Sequence, residues 1–131
     1  MEQDHNLIGQ AFYLNNLAAV YDVQKNYNKA LEYYEKSLTI KKKLNDQNGI
    51  AATSLNIGIT YFNLGDIPRS LEFNQKAYNI YKTGDNDTKT VRAINNIGEC
   101  YTHLGNYEKA LRFLNLANQK RTVLNSEEFK Y

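Results

Sequence analysis

Cys100 and His103 stand three residues apart, close enough on one helical turn to set a thiol beside an imidazole, the pairing a nucleophilic catalyst uses. The same spacing is met more simply at the edge of a helix packing face. Cys100 is the only cysteine, and His5 and His103 are the only histidines, so no zinc-type ligand set can be assembled. Gly98 and Gly105 are joined by a helical run instead of being held in a turn after a strand, which excludes a phosphate-cradling loop. The densest basic run, Lys41-Lys42-Lys43, falls in the last turns of a predicted helix, where cations favour the negative end of the helix dipole. These residues imply no catalytic site, no metal and no cofactor, and the expectation is that the chain is not an enzyme.

A different chemistry lies in the asparagines. Asn16, Asn56 and Asn96 recur in one register, and Asn is a mediocre helix former, so a use for the side-chain amide is expected. An amide both donates to and accepts from an extended peptide backbone. The alternative is that each amide bonds to the neighbouring unit and stiffens the assembly. Around them, on the helix face opposite the predicted core, stand Phe12 in the first unit, Leu55, Ile59, Phe62 and Asn63 in the second, and Arg92, Glu99 and His103 in the third. Leu55, Ile59 and Phe62 left on a surface would form an apolar patch that something must cover. Together with the asparagines these are the candidate peptide-binding residues, with Arg92 either pairing with Glu99 or meeting an acidic ligand side chain.

The elements that carry them repeat every forty residues. Asn16-Leu17-Ala18, Asn56-Ile57-Gly58 and Asn96-Ile97-Gly98 align, as do Tyr21, Tyr61 and Tyr101, and Leu31, Leu71 and Leu111. Such a period is the signature of a solenoid whose units bury their apolar faces only against neighbours. In the second unit Ser54, Ile57, Gly58, Tyr61 and Leu64 share one helix face, and Leu71, Ala77, Ile80 and Tyr81 another. Between them, Gly65 closes the first helix in the left-handed conformation, Asp66 caps the second, and Pro68 sits in its first turn. Gly105-Asn106 repeats this arrangement, and Lys25-Asn26 replaces it less comfortably. Small residues at 18, 58 and 98, and at 30, 70 and 110, let paired helices approach closely.

The run from Asn96-Ile97-Gly98 through Tyr101, Leu104-Gly105-Asn106-Tyr107 and Ala110-Leu111 to Ala117 resembles a tetratricopeptide repeat. The second unit matches through Gly58, Tyr61, Leu64-Gly65-Asp66, Leu71 and Ala77, and the first is looser, with Ala18, Lys25 and Ser37. The likeness covers about residues 8 to 124. The forty-residue unit resembles the longer repeats of kinesin light chain, of Leu-Gly-Asn-rich adaptors and of bacterial sensory proteins. Asn74 departs from the pattern, standing where Tyr34 and Leu114 provide a bulky side chain. The resemblance implies an all-α, right-handed superhelix of three helix pairs, in which the face bearing the candidate residues lines a concave groove. It also implies that the asparagines hold a peptide backbone. A full carboxylate clamp is not expected, because Asn15, Ala19 and Asn96 stand where its other partners would be.

Length suits one domain, 1–131, with repeats at about 8–47, 48–87 and 88–124 and a short tail, 125–131. A net charge of +2, from 16 basic and 14 acidic residues, does not favour a nucleic acid partner. The single cysteine and the lack of a long apolar run suggest a cytoplasmic protein with no membrane partner. The expected function is a noncatalytic scaffold that binds a protein or peptide, alone or as the sensing part of a signalling protein. The alternative is self-association through the terminal helices, or packing on a further domain.

Overall fold

A computed structural model describes residues 2–84 and 87–128, and every regular element among them is an α-helix. The order is α1 (Glu2–Val23), α2 (Tyr27–Lys43), α3 (Gln47–Leu64), α4 (Ile67–Tyr81), α5 (Asp87–His103) and α6 (Tyr107–Glu128). Each odd-numbered helix packs chiefly on the next even one, α2 then packs on α3, and α4 on α5, which makes a solenoid of helix pairs. No helix among the described residues is long and apolar enough to cross a membrane. The expected tail begins inside α6, which carries through Glu128; the residues beyond lie outside the described part.

Short turns fix the pairing. Gly65 (φ 94°) and Gly105 (φ 78°) take the left-handed conformation, and Lys25 adopts it with φ 62° in the first pair despite its Cβ. Asp66 accepts a hydrogen bond from the Arg69 amide (3.2 Å), Asp46 from that of Gly49 (3.0 Å) and Asn106 from that of Lys109 (3.3 Å). Pro68 occupies the first turn of α4, where its missing amide hydrogen leaves no helix bond unmade.

Small residues let helices within a pair touch. Ala18, Ala30, Ser70 and Ala110 are buried, and the Ser70 hydroxyl donates to the Gly58 carbonyl at 2.6 Å. A Cβ at Gly58 would lie 2.6 Å from Asn74 Nδ2, and one at Gly98 would lie 2.7 Å from Leu114 Cδ2. The tyrosine of each unit stacks on an aromatic ring of the partner helix: Tyr21 on Tyr33, Tyr61 on Phe73 and Tyr101 on Phe113, with centroids 5.5 to 5.8 Å apart. Lys29, Arg69 and Lys109 lie over those tyrosines, so a cation caps the stack in every pair. Lys41, from the basic run, is half-buried and donates to Thr53 Oγ1 at 2.7 Å, docking α2 on α3; burial lowers its pKa.

Two placements differ from the sequence expectation. Leu64, assigned to the core face, is 44% exposed at the end of α3. Leu55, assigned to the open face, is 4% exposed and packs with Ala51, Ala77, Tyr81 and Ala93. The reason is that α3 lies between two helix pairs, so its buried stripe must be wide enough to meet α2, α4 and α5. A two-helix pattern underestimates that width. The outer face of the last pair is open: Leu111 is 61% exposed, whereas its register equivalent Leu31 is 8% exposed under α3.

Candidate functional site

Between α3 and α5, floored by α4, lies a cavity of about 280 Å³. Ile59 and Phe62 form its apolar wall, with Asn63 at the rim, while Arg92, Asn96 and Glu99 form the polar wall on successive turns of α5. His103 extends the apolar side, its ring meeting Phe62 edge-on at 4.8 Å. These candidates from the second and third units are therefore brought together. The others are not: Phe12 (69% exposed) and Asn16 lie on α1 outside the cavity, Asn56 is half-buried and does not line it, and Leu55 belongs to the core.

The floor is made by Ser70 and Asn74, which face and register in the sequence did not assign to the site. Asn74 is 1% exposed, and all its polar atoms are engaged. Its Nδ2 donates to the Ser70 carbonyl (2.8 Å) and hydroxyl (3.3 Å), and its Oδ1 accepts from Asn96 Nδ2 (3.1 Å). Asn96 thus ties the third repeat to the second, the stiffening role expected as the alternative for these amides, while also facing the cavity. Where the first pair has the much larger Tyr34, the second has Asn74; against the third pair's Leu114 the difference is polarity, because the two side chains have the same branched shape and number of heavy atoms.

Electrostatically the polar wall is divided. Arg92 and Glu99 form no ion pair with each other among the described residues. Asn95 Nδ2 lies 3.4 Å from Glu99 Oε1, at the long limit of a hydrogen bond. Cys100 is fully buried beneath this wall, its thiol directed to Ser70 Oγ at 3.4 Å. Burial raises the thiol's pKa and the bond to Ser70 opposes it. His103 is exposed, with Nδ1 3.1 Å from the Glu99 carbonyl, so Nδ1 carries the hydrogen of that bond. Thiol and imidazole are each engaged elsewhere, and the arrangement that would activate a cysteine is not formed. The described residues contain no group of His, Cys, Asp and Glu side chains able to hold a metal ion.

In the first pair Tyr34 occupies the position of Asn74 and is 3% exposed. Its hydroxyl's pKa is pushed up to about 12, first by burial and then by the charge of Asp22. Asp22 in turn accepts from Thr60 Oγ1 (3.2 Å) across to α3, and its own pKa is raised by burial, with the Thr60 bond opposing.

Known proteins share this architecture. The tetratricopeptide repeat profile matches residues 49–117, more than half of the chain, and a second profile of that name matches residues 7–44. No curated protein sequence matches the chain. Among solved structures, BtubC (BKLC) from P. vanneervenii superposes with a TM-score of 0.83 at 22% identity, over 88% of this chain and 48% of its own. The chain therefore spans about half the length of that protein. The TPR domain of Arabidopsis FLU gives a TM-score of 0.81 at 17% identity, over 89% of this chain and 98% of that domain. The Rap conjugation gene regulator of plasmid pLS20, solved in complex with the Phr* peptide, gives 0.82 at 19% identity, over 97% of this chain and 36% of the regulator. With three stacked helix pairs, the forty-residue register and both profile matches, this chain belongs to the tetratricopeptide repeat family.

Proposed function

We propose that the chain is a noncatalytic scaffold module that captures an extended or helical segment of a protein partner in its concave groove, centred on the cavity between α3 and α5. The observation that carries this reading is the juxtaposition of an apolar wall, Ile59 and Phe62, with a polar wall, Arg92, Asn96 and Glu99, across one opening. An apolar ligand side chain would lie against Phe62, while a polar group would meet α5. The family relationship and the peptide in the solved Rap regulator support it. A cytoplasmic, signalling setting is part of the same reading. Selection from a phage-displayed random peptide library, followed by calorimetric titration of the selected peptides, tests it. Phe62→Ala is expected to weaken them by more than about 1 kcal/mol, as for an aromatic anchor. Unchanged affinity for Phe62→Ala, with binding retained, moves the site off this face.

A second reading is association through the ends of the solenoid, either with another copy or with a further domain. It is favoured by the open face of α6, where Leu111 and Val123 are 61% and 57% exposed, and by Tyr13 and Val20 on α1, 63% and 54% exposed. Sedimentation equilibrium that finds only monomer across a wide concentration range removes the version with a second copy.

A further inference from the structure

The cavity is more selective in its chemistry than a groove that merely accepts a peptide. Its polar wall carries one cation and one anion, seven residues apart on α5 and so about 10 Å apart along the helix axis. Asn96 stands between them, one turn from each. Both flanking side chains are long and exposed, and both can converge on a group lying over Asn96. We propose that this cavity is a carboxamide slot, taking the side chain of a Gln or Asn from the peptide partner, a role that rests on the concave face being the binding face.

Charge excludes the competing side chains. A ligand carboxylate would accept from Arg92 but be repelled by Glu99, and a ligand ammonium or guanidinium would meet the reverse. An apolar side chain would displace water from both ions and from the Asn63 and Asn96 amides without replacing those bonds. A neutral carboxamide satisfies both ends at once, its oxygen accepting from Arg92 and its nitrogen donating to Glu99. Its methylene stem would lie on Ile59 and Phe62. Asn74 floors the slot where the first pair carries the much larger Tyr34, and its amide is already committed to Ser70 and Asn96. A backbone amide of the ligand has the same chemistry as a side-chain carboxamide, and the test separates the two.

The probes are single residues blocked at both ends, N-acetyl amides of Gln, Glu, Lys, Leu and Ala, titrated into the isotope-labelled chain. The readout is the side-chain amide resonances of Asn63 and Asn96 and the backbone resonance of Glu99. The Gln probe is expected to move all three, binding about tenfold or more tightly than the Glu and Lys probes, the factor for one unmade bond to a charged group. Glu99→Gln should then admit the Glu probe, and Arg92→Gln the Lys probe. Both residues are exposed, so these variants retain the fold. Asn74→Tyr, which puts the first pair's larger side chain on the floor, should abolish the shifts. An Ala probe as effective as Gln identifies backbone recognition and overturns the slot, as does a Glu or Lys probe that binds the unaltered chain as well as Gln. No shift from any probe also overturns it, whereas loss of the selected peptides' binding through Phe62→Ala would leave the concave-face reading standing.

Discussion

Asn74 gives the sharpest test of why the second repeat is built as it is. Replacing it with Ala removes the 2.8 Å bond to the Ser70 carbonyl and the 3.1 Å bond from Asn96, and empties a position that is 1% exposed. At about 0.5–1.5 kcal/mol net for each of those bonds, with a further contribution from the new void, the loss is roughly 2–4 kcal/mol. That corresponds to a fall of about 10 °C in Tm for a domain of this size. Leu should behave differently. The third pair accommodates Leu114 against Gly98, so Leu at 74 fits against Gly58, and its burial of about 1.5–3 kcal/mol offsets the same lost bonds. Asn74→Leu should therefore lie within about 1 kcal/mol of the unaltered chain, because Asn96, half-exposed, can turn to water. Urea unfolding followed by circular dichroism measures both. Equal destabilisation by Ala and Leu would refute the view that the position is a packing site at which the amide is optional for stability, and a negligible effect of Ala would refute the hydrogen-bond geometry itself.

Three further substitutions test other parts of the structure. Lys25→Gly relieves a left-handed residue at φ 62°; the relief of about 1–2 kcal/mol exceeds the roughly 0.4–1 kcal/mol of added unfolded-chain entropy, so a net gain near 0.5–1 kcal/mol is expected in thermal melts. Asp22→Asn should stabilise the chain at neutral pH, because burial raises the folded-state pKa of Asp22 and leaves its Oδ1 unpartnered. A raised acid binds its proton more tightly when folded, so stability falls as pH rises from the ordinary value of 3.8 through the folded pKa, and the advantage of Asn should vanish below that window. Tyr81→Phe removes a hydroxyl that is buried without a partner and should be neutral or stabilising, by up to about 1 kcal/mol in the same unfolding assay; a clear loss would mean the hydroxyl has a partner.

The fold was legible because a solenoid writes its contacts at a fixed sequence interval. The tyrosines at 21, 61 and 101 and the small residues at 18, 58 and 98 each marked one contact repeated along the stack. Caps and turns were legible for a local reason, since Gly65, Asp66 and Pro68 act within a few residues of themselves. Leu55 was misassigned because its burial depends on α4 and α5, which a single helix pattern does not contain. The aromatic partners Tyr33, Phe73 and Phe113 also recur at forty residues, yet a ring on the second helix carries no sequence sign of which ring on the first it will face. Most of the cavity's lining was legible, since Ile59, Phe62, Asn63, Arg92, Asn96 and Glu99 follow from face and register. Its floor was not, because Ser70 and Asn74 lie on α4 and reach the opening only through the packing of α4 against α3 and α5. In the sequence Asn74 reads as a departure from the repeat pattern, whereas in the structure it is a fully bonded residue on the floor of the site.

The claim that the concave cavity holds the partner is tested most directly by isotope-filtered nuclear Overhauser measurements on the chain bound to a library-selected peptide. Contacts from the peptide to the Phe62 ring and the Ile59 methyl groups are predicted, and they should be lost in Asn74→Tyr. Contacts confined to Tyr13 and Leu14 on the first pair, or to Val123 on the last, would contradict it.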